Sequence, residues 1–299
     1  KEKNPKLVKE AEKGEMSLDE FLGALPGRRI EGAFLPRTTS AHWVAAAIAA
    51  LLFWEFILIV QPMGNSTSKQ LWAVGIFTGT IGILMLLLIQ LLAVLGGRTF
   101  LGTGIGALIF LIFKFIHFSY NAALDPDTGF VASLFGFTFG VGLLEELCKA
   151  LPLFWNFRRS GLLDVRGAVV WGLATGIGFG VSEGISYSSD FYNGLAGAGV
   201  YLVRFTSCVG LHAVWSASVA ILIWRERRAI EGIEDWYQWI PPVFKTLGIC
   251  MLLHGLYDTL LKKEFGGAAL AVAMFSFAWF FWLYDRHVRL ERLRQQPAT

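Results

Sequence analysis

The chain has 299 residues, of which 55% are hydrophobic and only 16% are charged, and its mean hydropathy is +0.54. A soluble domain needs more polar surface than this composition offers, so we predict a multi-pass membrane protein. The formal net charge of +3 is small. The three cysteines lie in separate apolar stretches without a CxxC spacing, which argues against a disulfide framework and against a thiolate zinc site.

The first forty residues are polar and differ from the rest of the chain. Within them, Ser17 and Glu20 match a capping box ahead of apolar residues, and Pro26-Gly27 is a typical helix stop. We therefore predict a separate cytosolic segment, 1–40, that contains one short helix.

Eight later stretches are long and apolar enough to cross a membrane. A hydrocarbon core of about 30 Å requires about 20 apolar residues, and helices satisfy their own backbone groups in lipid. The predicted fold class is all-α, a polytopic bundle of about eight transmembrane helices. The predicted spans are 41–62, 71–95, 101–120, 129–155, 167–189, 196–224, 242–262 and 265–284.

Basic residues are concentrated at alternate span ends. With a cytoplasmic N-terminus, fourteen arginines face the inside, Arg166 among them, whereas only three lysines, including Lys69, face the outside. This bias predicts that both termini are cytoplasmic. The transmembrane domain is then 41–284, with a core at about 129–262, and a basic tail follows at 285–299.

Ionisable side chains within predicted spans four to seven are the main functional signal, because ions are costly in lipid unless they are paired or hydrated. A helix rises about 1.5 Å per residue, so five of these side chains lie about 15 to 24 Å from the cytoplasmic span ends. These five are Glu145, Glu183, His212, His254 and Asp258. His254 and Asp258 share a helix face, as do Glu145 and Lys149. The set comprises Glu145, Glu146, Lys149, Glu183, His212, His254 and Asp258.

Two histidines and several carboxylates in a dry site suit the activation of water. A carboxylate can act as general base, or the set can hold a divalent metal with an open position for water. The competing interpretation is structural, since a buried Glu–Lys pair is often only an ion pair. The occurrence of these groups in four consecutive spans favours a shared site.

Three motifs resemble the EExxK, FxxxE and HxxxD signatures of the PrsW family of intramembrane proteases, which is distantly related to CAAX prenyl endopeptidases and bacteriocin-processing proteases. They are EELCK (Glu145, Glu146, Lys149), FGVSE (Phe179, Glu183) and HGLYD (His254, Asp258). The resemblance covers about residues 129–261. It implies an endopeptidase of the bacterial inner membrane whose partners are the bilayer and a membrane-anchored protein substrate, such as an anti-sigma-factor-like regulator.

The resemblance also implies roles for these residues. Glu145 would activate the water, with Glu146 as its neighbour or substitute and His254 as a further catalytic group. Lys149 and Phe179 belong to the motifs without an assigned step. Members are usually classed as metalloproteases, which implies a divalent metal, zinc being the first choice. Its implied ligands are Glu183, His212, His254 and Asp258.

A metal-free mechanism stays open at this point. The prenyl-endopeptidase relatives, which have been argued to work without a metal, carry histidine and asparagine at the positions of Glu183 and Asp258. The more acidic pair in this chain favours a cation. Hydrolysis by water activated at Glu145, with or without a divalent metal, is the predicted reaction.

Two other functional classes compete with a protease. A proton- or ion-coupled transporter also carries carboxylates and histidines in its spans, although this chain lacks the repeated halves of many transporters. A non-catalytic membrane binding or immunity module of the same fold is the third class. The basic loop 225–228 follows from topology and indicates no nucleic-acid partner. Ser182 in GVSEG lacks the strand–turn–helix context of a nucleophile elbow.

Glu55 and Lys114 lie at similar predicted depths in the first and third spans, about 21 and 20 Å from the cytoplasmic side by helix rise. We expect these two residues to form an ion pair that stabilises the bundle.

The substitution Glu145→Gln separates the three functional classes, because it removes a carboxylate with little change in volume. A protease should lose cleavage of a co-expressed single-span substrate and stay folded, a transporter should lose flux, and a binding module should lose neither. Cleavage and vesicle-flux assays on the same variant measure this. Retained cleavage here and in matching Glu146 and His254 variants would contradict the protease hypothesis.

Overall fold

The computed structural model describes residues 31–34, 47–48, 50–52, 54–55, 66–96, 105–159, 164–190, 193–194 and 198–295. Of these, 31–34, 96, 105, 158–159, 184–190, 193–194, 198–207 and 294–295 are described for the backbone only. Nearly all of this part is helical. Its helices are α1 (Ser68–Phe77), α2 (Ile83–Gly96), α3 (Ile105–Leu124), α4 (Phe130–Gly136), α5 (Leu143–Arg159), α6 (Val165–Asp190), α7 (Ala198–Glu231), α8 (Ile240–Lys262) and α9 (Gly266–Gln295).

Two π-helical turns join helices into longer rods. The turn Thr78–Gly82 continues α1 into α2, and the turn Phe137–Gly142 continues α4 into α5. A short 3₁₀ helix, Trp236–Trp239, precedes α8. Two short strands, β1 (Glu31–Phe34) and β2 (Asn193–Gly194), pair in parallel.

Seven helices in the described part of the chain are long and apolar enough to cross a membrane. They are Ser68–Leu95, Gly106–Leu124, Phe130–Phe157, Val165–Glu183, Cys208–Glu231, Trp236–Lys262 and Gly266–Leu293. They match the second to eighth predicted spans, and the all-α polytopic fold is confirmed. The first predicted span, 41–62, lies mostly outside the described residues, although those described between 47 and 55 are helical. The predicted N-terminal helix lies wholly outside them.

Helices α6 and α7 form the buried centre of the bundle and pack through a stripe of glycines. A Cβ atom on Gly172 would lie 2.5 Å from Cα of Ala217, and one on Gly176 would collide with the carbonyl oxygen of His212. Only glycine at these positions allows so close an approach, which is typical of small residues at four-residue spacing. This packing fixes the register of His212 against α6.

Helices α1 and α6 run parallel to each other. Trp171 Nε1 donates to Ser66 Oγ at 3.0 Å, and further along both helices Thr78 Oγ1 donates to the Thr175 carbonyl oxygen at 2.9 Å. The residue numbers of the two pairs increase together, which is the pattern of parallel helices. The α1 and α6 backbones touch closely where Gly75 meets Gly178.

Two predictions about charged residues are corrected by this arrangement. The distribution of basic residues predicts Lys69 and Arg166 on opposite sides of the membrane, but both lie near the first residues of parallel helices and therefore at the same end. Glycine-to-backbone packing sets this direction, which counting basic residues cannot detect. The expected pair of Glu55 and Lys114 is also wrong, since no ion pair joins them in the described residues. Lys114 Nζ instead lies 5.5 Å from the ring centroid of Phe110.

The glycine stripe predicts that one added methyl group destabilises the bundle. Gly176→Ala should force α6 and α7 apart and lower the free energy of unfolding by about 1–3 kcal/mol, as overpacking does. Gly248→Ala is the matched control, because no heavy atom lies within 4 Å of its added Cβ and alanine is the better helix former. Thermal unfolding midpoints in detergent test this, and equal midpoints for the two variants would contradict the packing role.

Candidate active site

The two adjacent glutamates of the site lie on the first turn of α5, directly after a π-helical turn. That turn packs closely on α8: a Cβ on Gly142 would lie 2.9 Å from the Met251 carbonyl oxygen, and Gly255 of α8 lies against Thr138. The missing side chains let the two backbones approach, which brings the first turn of α5 beside His254. Single π turns of this kind are frequent at functional sites.

Lys149 is the cation at the centre of the site. Its Nζ donates to Glu146 Oε1 at 2.6 Å and lies 2.8 Å from His212 Nδ1, and the side chain is 1% exposed. Since an ammonium group only donates, His212 Nδ1 accepts this bond. The ring of Phe179 lies below the ammonium, with its centroid 5.1 Å from Nζ. The other nitrogen of His212, Nε2, lies 2.5 Å from Glu183 Oε2.

His254 lies between three carboxylates. Its Nδ1 is 3.1 Å from Glu146 Oε1, and its Nε2 is 3.3 Å from Asp258 Oδ2 and 3.6 Å from Glu145 Oε2. Trp215 stacks on the imidazole, with ring centroids 4.6 Å apart and an interplanar angle of 24°. The ring is therefore fixed in plane by stacking and in rotation by carboxylates on both of its edges.

Glu145 is a fully buried carboxylate of the site. Its side chain is 0% exposed, and neither carboxylate oxygen has a hydrogen-bond partner among the described residues. The nearest imidazole nitrogen, at 3.6 Å, is beyond ordinary hydrogen-bond length. A buried carboxylate without partners is costly. The position therefore suits a bound water molecule or a cation.

The donor set fits a divalent cation. Glu145, His212 and His254 each offer a ligand atom, and these atoms lie within 4.8 Å of one another. In addition to Glu145, the cluster contains the carboxylates of Glu146, Glu183 and Asp258, with Lys149 as their only ammonium partner in the described part of the cluster. A surplus of buried negative charge next to two imidazoles favours a metal such as zinc.

The sequence model of the PrsW family intramembrane metalloproteases matches residues 92–284. This range is well over half of the chain and contains all of the site residues described in this subsection. The chain belongs to the PrsW family. It is therefore an intramembrane protease and a multi-pass membrane protein, and the family description implies a metal. No curated protein and no solved structure matches this chain.

Every residue predicted for the site of this PrsW protein lies in the cluster, but two partnerships differ from the expectation. The sequence analysis placed Lys149 on the same helix face as Glu145, whereas its ammonium group bonds to Glu146. The expected metal ligand Asp258 contacts His254 but lies outside both three-ligand groups of the described residues. Ser182, which was excluded as a nucleophile, lies within helix α6, and its hydroxyl donates to the Gly79 carbonyl oxygen at 2.5 Å.

Sequence reasoning missed two residues at the site. Trp215 lies three positions after His212 on α7 and supports His254 from below. Cys208 lies four positions before His212, and its sulfur is within 4.8 Å of ligand atoms of His212 and Glu183. Both spacings place the side chains on the same helix face as His212. Helical periodicity could therefore have identified both residues from the sequence.

The Glu146–Lys149 pair predicts a recoverable loss of stability. Lys149→Met leaves the Glu146 carboxylate buried without its cation, which typically costs about 3–5 kcal/mol. The double variant Glu146→Gln, Lys149→Met removes both charges and should unfold at a higher temperature than Lys149→Met alone. Thermal unfolding in detergent measures the difference. An unchanged midpoint for Lys149→Met would show that the pair contributes little.

Proposed function

We propose that this PrsW protein hydrolyses a peptide bond of a membrane-anchored protein by means of a water molecule activated at Glu145. The observation that carries the proposal is the state of this carboxylate, which is buried, lacks a hydrogen-bond partner among the described residues and faces two imidazoles. An unengaged, dry carboxylate is a stronger base than one already bonded to a cation.

The two adjacent glutamates have different roles in this proposal. Glu146 accepts from the ammonium of Lys149 and lies within hydrogen-bond distance of His254 Nδ1, so its Oε1 lone pairs are engaged. Glu145 has no such bonds and can accept a proton from water. Glu146 therefore orients Lys149 and His254, while Glu145 takes the proton and later returns it to the leaving amine.

The imidazole of His254 holds the water and stabilises the developing negative charge. His254 Nε2 lies between Glu145 and Asp258, so it is directed to the place where a water bound to Glu145 would sit. Asp258 contacts this same nitrogen, and Glu146 at Nδ1 orients the ring, as carboxylates do for catalytic histidines. Lys149 and Glu183 fix the two nitrogens of His212 in the same way.

A divalent metal, zinc as the first choice, fits this donor set. The imidazoles of His212 and His254 would hold it, with Glu183 and Asp258 as oxygen donors, which leaves Glu145 as the base. When bound, such an ion polarises a carbonyl group and makes water more acidic. The family description supports a metal without naming the element.

Access to the site is proposed from the end that carries Glu183 and Asp258. Their side chains are 13% and 25% exposed, whereas those of Glu145 and Glu146 are 0% exposed. A peptide segment would therefore reach the base through this opening. With a cytoplasmic C-terminus, the opening faces the outer leaflet of the bacterial inner membrane, which suits an anti-sigma-factor-like substrate. The domain in this proposal is 41–284, flanked by the polar segment 1–40 and the basic tail 285–299.

Metal content and cleavage, measured together, test the division of roles. Wild-type protein in liposomes should cleave a single-span reporter and carry about one metal ion per chain, the stoichiometry of a mononuclear hydrolytic site. Glu145→Gln should retain the metal and lose activity by about 10²–10⁴-fold, the contribution of a general base. His254→Ala should lose both.

His117→Ala is the matched control for the histidine variant. His117 lies on α3, where its Nε2 is 3.2 Å from Asn121 Nδ2, so this variant should retain both metal and activity. An active Glu145→Gln variant would refute the assignment of the base. Metal-free wild-type protein that cleaves at full rate would refute the requirement for a metal.

A further inference from the structure

A second set of metal-ligating side chains lies at the edge of the active site. Cys208 and His212 are four residues apart on α7, and Glu183 faces them from α6. One ligand atom from each of the three residues lies within 4.8 Å of the others. The set shares His212 with the group that contains Glu145, and it shares both His212 and Glu183 with the ligands proposed above for the catalytic metal.

The two helices hold this set in place through their close packing. A Cβ on Gly180 would lie 3.0 Å from Cα of Val209, and Gly176 lies against the backbone of His212. Because the backbones are in contact, the ligands of α6 and α7 are brought together without long, mobile side chains. A site whose ligands are already assembled loses little side-chain entropy when it binds an ion.

We propose that Cys208, His212 and Glu183 form a second metal-binding position for thiophilic divalent cations such as Zn²⁺, Cd²⁺ and Co²⁺. Thiolate and imidazole are ligands that these ions prefer over carboxylate oxygen. The thiol binds as a thiolate and releases its proton to solvent on metal binding. The Glu145, His212 and His254 group has no sulfur ligand, so a sulfur–metal bond distinguishes the two positions.

Cys208 is the cysteine suited to this role. Cys148 and Cys250 are both buried, and Cys148 lies within an apolar cluster. Neither belongs to a three-ligand group in the part of the chain that the structure describes. None of the three forms a disulfide in this part of the chain.

The shared histidine couples the second position to catalysis. An ion held by Cys208 and His212 removes an imidazole nitrogen from the Glu145 side of the cluster. Excess zinc should therefore inhibit the protease. This inhibitory consequence rests on the proposed function, whereas metal binding at Cys208 does not.

Cobalt spectroscopy on the purified full-length chain tests the binding. Co²⁺ bound to a thiolate absorbs in the near ultraviolet through sulfur-to-metal charge transfer, and Co²⁺ bound only to nitrogen and oxygen does not. Wild-type protein and the matched control Cys250→Ser should show this band. Cys208→Ser and Cys208→Ala should lose it, and a band that persists in both would overturn the proposal.

A measurement on unmodified protein covers the case in which the Cys208 variants do not fold. Cd²⁺ should protect Cys208 from alkylation, as read by mass spectrometry of its peptide, and unprotected Cys208 would overturn the proposal. Cleavage assays across a zinc titration then test the inhibition. A wild-type protein that shows the band but no inhibition would refute the coupling to catalysis, and a protein without any cleavage would instead refute the proposed function.

Discussion

The structure depends on one ammonium group that holds buried carboxylates together away from water. Lys149 bonds to Glu146 and His212, and through them it fixes the orientation of His254 and the position of Glu183. Removing any one partner from such a network leaves an uncompensated charge in a medium that cannot solvate it. The network therefore links helices α5, α6, α7 and α8 at a single point.

Close backbone packing makes this network possible. Glycines on α6 let α7 approach, and glycines around the π-helical turn before α5 let α8 approach. Short polar side chains such as Glu and His reach one another only because these backbones touch. Packing and chemistry are thus coupled, and the same glycines that stabilise the bundle determine the distances between the groups of the site.

The network does not satisfy every group in it. Glu145 stays without a partner among the described residues, whereas the adjacent Glu146 bonds through its Oε1 to Lys149. Two identical side chains, one residue apart, thus have different environments, because about 100° of helix rotation points them to different neighbours. In the proposed mechanism that asymmetry separates the orienting carboxylate, Glu146, from the base, Glu145.

Sequence alone determined the membrane class, seven of the observed spans and the helices that carry Glu145, Glu183, His212 and His254, because hydropathy and helical periodicity are local properties. Only the tertiary structure decided that Lys149 pairs with Glu146, that α1 lies parallel to α6, and that Trp215 and Cys208 belong to the site. Periodicity defines the face on which a side chain lies. It does not define which neighbouring helix covers that face, since contacts between residues distant in the chain fix that choice.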